Sequence, residues 1–332
     1  MMIGLLSLWS SVAVVAASDV APLRIKGLVA AVFSPFDAEG RLNASVVPLQ
    51  WRYLQATGVS RVFVGGTTGE SLSLTTAERK ALLETWIAET DATVIAHVGA
   101  ESLEDARDLA AHAERSGAVA VAAMPPVFFS PADAEALAAT IAHVCAAAPT
   151  IPCYYYHIPS QTHYDKPMID FVEAINGTVD NFAGIKFTGL YSGAGFADAQ
   201  RVLRFDGGRY EVLCGREEMT LEALSVGMTG FVGSQFNVAG DLFNGIVDAF
   251  LSGGGDWPAL RDAQAVALDL IGAWQVARPG VNGNKYFMDL AGVPVGDARL
   301  PSLPVADDAA ALRAAFRAFC AKHEAAGLRM CA

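Results

Sequence analysis

Asn181-Phe182-Ala183-Gly184-Ile185-Lys186-Phe187-Thr188 is apolar at both parities of its alternation and carries one lysine near its end. A strand with one solvated face alternates apolar and polar side chains. A strand of a parallel sheet is covered on both faces and reads as a continuous apolar run. Outward from this octet, similar short runs recur at intervals of roughly 25 to 35 residues, the rhythm of repeated βα units. The candidates are Gly27–Phe33, Arg61–Val64, Thr93–Val98, Ala118–Ala123, Ile151–Tyr156, Phe182–Phe187, Tyr210–Cys214 and Gly230–Gly233. Helix starts between them are marked by Thr75-Thr76-Ala77-Glu78, Ser102-Leu103-Glu104-Asp105 and Ser130-Pro131-Ala132-Asp133, each of the form [ST]-x-x-[DE]. Beyond about residue 255 the strand signal stops, and Trp257–Ala277 and Asp307–Ala326 read as helices around a Gly/Pro-containing connection. Eight βα units predict an α/β fold, a (β/α)8 TIM barrel over residues 19–255 with a C-terminal helical extension over 256–332. The rival, a doubly wound nucleotide-binding sheet, lacks the G-x-G-x-x-G that should follow its first strand.

Composition narrows the function. The 332 residues are 53% hydrophobic and 17% charged, enough apolar material for a large core. The net charge of −12 and the absence of basic runs exclude a phosphate backbone as partner. Met1–Ala17 is uncharged and apolar and ends in the small residues Ala16-Ala17-Ser18, so residues 1–18 read as a secretory or organellar leader, with a short apolar extension packed on the core as the alternative. It is too short to span a bilayer, and the mature chain is expected not to be membrane-embedded. The cysteines Cys145, Cys153, Cys214, Cys320 and Cys331 are odd in number and lack C-x-x-C spacing; they read as small core residues rather than as a disulfide framework or zinc site. The six histidines show no metal-ligand spacing, so neither a metal nor another cofactor is expected.

In such a barrel the chemistry sits at the C-terminal strand ends. Of six lysines only Lys186 ends an apolar strand, where burial disfavours an ammonium and favours a nucleophilic amine. The alternative is a lysine that snorkels from the strand end to solvent. Val64-Gly65-Gly66-Thr67-Thr68-Gly69-Glu70 offers free N–H groups beside two hydroxyls, suited to a small carboxylate, or is simply a tight glycine turn. In Cys153-Tyr154-Tyr155-Tyr156-His157-Ile158-Pro159, alternation sends Tyr154 and Tyr156 to one side, as a proton shuttle or as packing. Cys214-Gly215-Arg216-Glu217-Glu218 and Gly233-Ser234 complete the set; the acids there also suit a helix dipole.

Taken together, Gly66-Thr67-Thr68-Gly69-Glu70, Tyr155-Tyr156-His157-Ile158-Pro159, Gly184-Ile185-Lys186-Phe187-Thr188 and Gly230-Phe231-Val232-Gly233-Ser234 resemble, in order, the pyruvate-dependent class I aldolases, the group of dihydrodipicolinate synthase and N-acetylneuraminate lyase. The resemblance implies that Lys186 forms a Schiff base, Tyr156 moves protons, and Thr67 and Thr68 hold the pyruvate carboxylate. Gln161 stands where the synthase branch has an arginine, and Pro125-Pro126-Val127-Phe128-Phe129 lacks that branch's tyrosine hydroxyl, so the lyase branch is favoured. There the sugar chain is held by residues that map onto Thr188, Gly215, Glu217, Glu218 and Ser234. The implied activity is cleavage of N-acetylneuraminate to N-acetylmannosamine and pyruvate by a homotetramer. The alternatives are an aldolase for a 2-keto-3-deoxy sugar acid and a silent sugar-acid binding protein. Two departures stand out: Glu217, where the branch more often has Asp, and His163-Tyr164, where it has Gly-Val. Relatives are mostly cytoplasmic, in contrast to the leader reading.

Overall fold

The computed structural model describes residues 20–189, 193–253, 255–276 and 281–332; the leader-like residues 1–18 lie outside them. Eight parallel strands, β1 (Gly27–Ala31), β2 (Arg61–Val64), β3 (Thr93–His97), β4 (Ala120–Ala123), β5 (Cys153–His157), β6 (Phe182–Phe187), β7 (Glu211–Cys214) and β8 (Gly230–Gly233), close in sequence order into a barrel. Between them run α1 (Val47–Ala56), α2 (Thr76–Ala88), α3 (Leu103–Ser116), α4 (Ala134–Cys145), the single turn α5 (Pro159–Thr162), α6 (Met168–Ile175), α7 (Gly193–Arg204) and α8 (Thr220–Ser225). After β8 come α9 (Phe236–Leu251), α10 (Trp257–Trp274), α11 (Asn282–Leu290) and α12 (Ala309–Lys322). The barrel expectation holds. Among the described residues no helix is long and apolar enough to cross a membrane.

Two apolar layers explain the strand pattern. Val29, Ala31, Phe63, Ile95, Ala120, Ala122, Tyr154, Tyr156, Ala183, Leu213 and Val232 fill the barrel interior. The opposite parity, including Val62, Val94, Val121, Tyr155, Ile185 and Phe231, packs outward beneath the helices. Small residues on β4 leave room for the tyrosines of β5. Close approach is extreme at Gly184, where a Cβ would fall 2.1 Å from the Glu211 carbonyl oxygen on β7. The C-terminal helices share the outer layer through Leu260, Ala267, Phe287 and Phe319.

Helix starts follow side-chain capping. Thr75 and Glu78 form the expected reciprocal box at α2, and Ser102 accepts from Asp105 N at α3. The third expectation is corrected. The cap of α4 is Asp133, whose carboxylate accepts from Ala136 N at 2.8 Å; residues 130–132 stay in the loop ahead of it, in which the Glu101 carboxylate accepts from the Val127 and Phe128 N–H groups. The expected Gly/Pro connection after α10 contains a further helix, α11, which supplies buried Asn282, Asn284 and Lys285.

The cysteine reading is overturned. Cys145 is bonded to Cys153, joining the end of α4 to the start of β5, and Cys320 to Cys331; only Cys214 is free, and it is buried. Sequence spacing gave no sign of this. Cys145 and Cys153 meet because β4 and β5 are neighbours and α4 returns its C-terminus to the bottom of the barrel. Denatured protein kept from reductant should therefore take up one alkylating group by intact mass, and all five cysteines should react after reduction. Replacing Cys145 and Cys153 together by serine should lower the unfolding free energy by about 2 kcal/mol in a denaturant titration, the loop closed being short.

Candidate active site

The register of β5 against β6 sets Tyr156 opposite Lys186, with both side chains inside the barrel at its C-terminal end. Lys186 is 4% exposed; its Nζ lies 3.9 Å from the centre of the Tyr156 ring and 4.4 Å from that of Phe63. Among the described residues no carboxylate pairs with it. The other buried lysine, Lys285, stands in contrast: it is ion-paired to Glu70 at 2.8 Å. Snorkelling to solvent is thereby excluded for Lys186.

The Tyr156 hydroxyl and the Thr67 Oγ1 are 3.2 Å apart, so the phenol belongs to the turn that follows β2. In that turn Gly65 has φ +71° and Glu70 N–H donates to the Thr67 carbonyl at 3.0 Å, and both threonines line the pocket. A cavity of about 180 Å³ brings together Thr67, Thr68, Tyr156, Lys186, Thr188, Gly215, Glu217 and Ser234. An adjoining cavity of about 300 Å³ shares Gly215, Glu217 and Ser234 and adds Glu218. Thus eight of the nine residues anticipated from the sequence line one cavity, and Glu218 lines its neighbour.

Local packing places Thr188, Gly215, Glu217 and Ser234. Thr188 Oγ1 donates to the His157 carbonyl at 2.7 Å, so its methyl faces Gly215, where a Cβ would come within 2.3 Å of it. Glu217 reaches the start of α9: one carboxylate oxygen accepts from Ser234 N–H, from Ser234 Oγ at 3.0 Å and from Gln235 N–H at 2.9 Å. Burial raises its pKa above the ordinary carboxylate value, opposed by the Gln235 bond and reinforced by the neighbouring Glu218 charge. The helix-dipole alternative thus applies to Glu217 in part, but at α9 rather than at α8.

Three neighbours were missed. Arg216 bridges the ends of β6 and β7, donating to the Thr188 and Gly189 carbonyls and pairing with Glu218 at 3.4 Å. Phe63 forms one wall against Lys186. His97 ends β3 at the inward parity of Ile95, the one signal that marked it; its Nδ1 lies 2.8 Å from the Gly65 carbonyl and its ring meets Tyr156 edge-on at 5.6 Å. Burial above all, and then the Arg79 charge, holds His97 well below the usual histidine range, so the neutral ring donates from Nδ1 to Gly65. Nothing in the structure explains the histidine of the His163-Tyr164 departure. His163 caps α5 at φ +56°, a left-handed position that glycine occupies without strain, while Tyr164 beside it is buried. Phe128 and Phe129 are each 83% exposed, and Gln161 is exposed on α5, whose Pro159 and Thr162 are buried. Among the described residues no group of three or more His, Cys, Asp or Glu side chains is placed to hold a metal ion.

Comparison with known proteins decides the family. Residues 24–317 match the dihydrodipicolinate synthetase family. The chain belongs to that family. Within it, the chain is 37% identical to N-acetylneuraminate lyase of Danio rerio over 85% of this chain and 92% of that protein. It is 35% identical to N-acetylneuraminate lyase of Homo sapiens, over 84% and 87% respectively. The solved structure of Proteus mirabilis N-acetylneuraminate lyase superposes with a TM-score of 0.83 at 32% identity, covering 89% of this chain and 98% of that one. A dihydrodipicolinate synthase from Bacillus anthracis, 24% identical with a TM-score of 0.79, shares the fold.

One pH dependence follows from the buried ring behind Thr188. Burial pushes His157 from the ordinary 6.5 down to about 4. The unfolded chain therefore binds a proton that the folded chain does not between those values, so stability is full above about pH 6.5 and falls as pH drops toward 4, by roughly 3 kcal/mol for this one group. Urea midpoints measured at pH 7.5 and pH 4.5 should show that loss, and His157→Gln should reduce the difference without removing it, because His97 contributes in the same direction.

Proposed function

We propose that this member of the dihydrodipicolinate synthetase family cleaves N-acetylneuraminate to N-acetylmannosamine and pyruvate through a Schiff base on Lys186. The observation that carries the reading is a buried, un-ion-paired Lys186 packed on Tyr156, whose hydroxyl meets Thr67. The named relatives support the choice of substrate.

The pocket supplies each step. The amine of Lys186 adds to the C2 carbonyl of the open-chain sugar acid, and loss of water leaves an iminium. Thr67, Thr68 and the N–H groups of their turn hold the C1 carboxylate, which fixes the keto carbon over Nζ. Tyr156 gives its proton to the departing water as the iminium forms, and the resulting phenolate takes the proton of the C4 hydroxyl. The C3–C4 bond then breaks, its electron pair passes into the iminium to give an enamine, and the C4 oxygen becomes the aldehyde of N-acetylmannosamine. Protonation of the enamine at C3 and hydrolysis return Lys186 and release pyruvate. Thr188, Gly215, Glu217, Glu218 and Ser234 line the path of the hydroxyls along the open sugar chain; Gly215 keeps that path open. We also propose the homotetramer implied by the resemblance, supported by the exposed edge-to-face pair Phe128–Phe129, 4.9 Å between ring centres, an apolar surface of the kind that self-association covers.

Pyruvate release from N-acetylneuraminate by the chain without residues 1–18 tests the reading, with a 2-keto-3-deoxy sugar acid run beside it. Preference for the sugar acid with the shorter chain would replace the substrate, and silence on both would favour a binding protein. Lys186→Ala is expected to lose turnover by at least 10³-fold and to resist borohydride trapping, whereas Tyr156→Phe should still be trapped but turn over at least 10²-fold more slowly. Glu217→Asp should change kcat/KM ratios among sialic acids several-fold while leaving the pyruvate KM of the reverse reaction in place, because Glu217 sits at the sugar end beside Ser234; equal changes for every substrate would remove it from that role.

A further inference from the structure

The turn that carries Thr67 and Thr68 is fixed from behind by the C-terminal part of the chain. Its last residue, Glu70, has φ +54°, a left-handed conformation that residues other than glycine seldom adopt and that is kept where the surroundings hold it. What holds it is a buried charge pair: Lys285 Nζ on α11 lies 2.8 Å from Glu70 Oε1, with side chains 1% and 7% exposed. The other carboxylate oxygen accepts from Arg299 N–H at 2.8 Å. Lys285 donates further to the Ser34 carbonyl at 2.9 Å and to the Asp297 carbonyl at 3.3 Å, while Ser34 Oγ donates to the Gly69 carbonyl at 2.6 Å. Phe36 lies between the two cations, its ring centre 4.3 Å from Lys285 Nζ and 4.4 Å from the Arg299 guanidinium carbon. A buried ion pair adds little net stability because desolvation offsets the attraction, and its geometric constraint is its more distinctive effect.

We infer that Lys285 is a positioning residue: through Glu70 it presets the Gly65–Glu70 turn so that Thr67 and Thr68 face the keto-acid carboxylate, which makes the C-terminal helices part of the pyruvate subsite. The inference rests on the aldolase reading above and deepens it. It separates two halves of the pocket: the sugar end is built on the ends of β6, β7 and β8, and α11 reaches it through Asn284, which donates to Ser234 Oγ at 3.5 Å, and not through Lys285. Disturbing the pair should weaken pyruvate and spare the amino sugar.

The test compares full-chain wild type with Glu70→Gln, Lys285→Met and the double variant, in which no buried charge is left unpartnered. The pyruvate concentration for half-maximal borohydride trapping on Lys186 is measured, together with the KM values for pyruvate and N-acetylmannosamine in the condensation direction and the circular-dichroism melting temperature. Expected are a rise of at least tenfold for pyruvate in the folded variants and a change under twofold for N-acetylmannosamine. Ser34→Ala, which frees only the Gly69 carbonyl, should raise the pyruvate value about threefold at an unchanged melting temperature and decides the matter if the pair variants do not fold. Unaltered pyruvate values in Ser34→Ala and in every variant that folds would overturn the inference, as would equal losses for both substrates. Wild type that is not trapped at any pyruvate concentration would instead overturn the aldolase reading, and the inference with it.

Discussion

The pairing of β5 with β6 inside a closed barrel is the constraint on which the rest depends. A parallel register places Tyr156 beside Lys186, and strand alternation turns both inward at the barrel's C-terminal end. Closure then brings the turn after β2 across to the same point, so that Thr67 meets the Tyr156 hydroxyl although the two are 89 residues apart in the chain. A slip of one residue along β6 would turn Ile185 inward in place of Lys186 and leave the pocket without its amine.

Charge is distributed in the same economical way. The barrel buries two lysines near its mouth and treats them differently: Lys285 is matched by Glu70, and Lys186 is set on aromatic faces. Carboxylates are also sorted by place. Glu211 on the barrel floor accepts from the Tyr154 hydroxyl at 2.8 Å and from Ile25 N–H, burial raising its pKa, and it seals the end away from the pocket. Glu217 and Glu218 stand at the opposite end, where one is drawn onto the start of α9 and the other onto Arg216. The outcome is a pocket with an amine and hydroxyls at its base and carboxylates at the end formed by β7 and the start of α9.

The disulfides show where local reading stops. Thiol pairing depends on which chain ends the barrel brings side by side, and neither the eight-residue separation of Cys145 and Cys153 nor the eleven of Cys320 and Cys331 has a signature of its own. The α4 cap is a similar case: Ser130 has the better local pattern, yet it stays in the loop and Asp133 caps instead.

What the sequence determined alone was everything periodic or motif-bound. Strand parity, the βα rhythm and the glycine, tyrosine and lysine motifs were legible because they follow from local geometry: alternation decides which side chains face inward, and the end of a barrel strand is where a reactive group has access to substrate. The tertiary structure alone decided the long-range partners. His97 on Gly65, Arg216 across β6 and β7, Lys285 on Glu70 and the two disulfides join residues whose separation in the chain carries no signal. Their distances are set only when the barrel closes, and the same closure turns a set of plausible residues into one pocket.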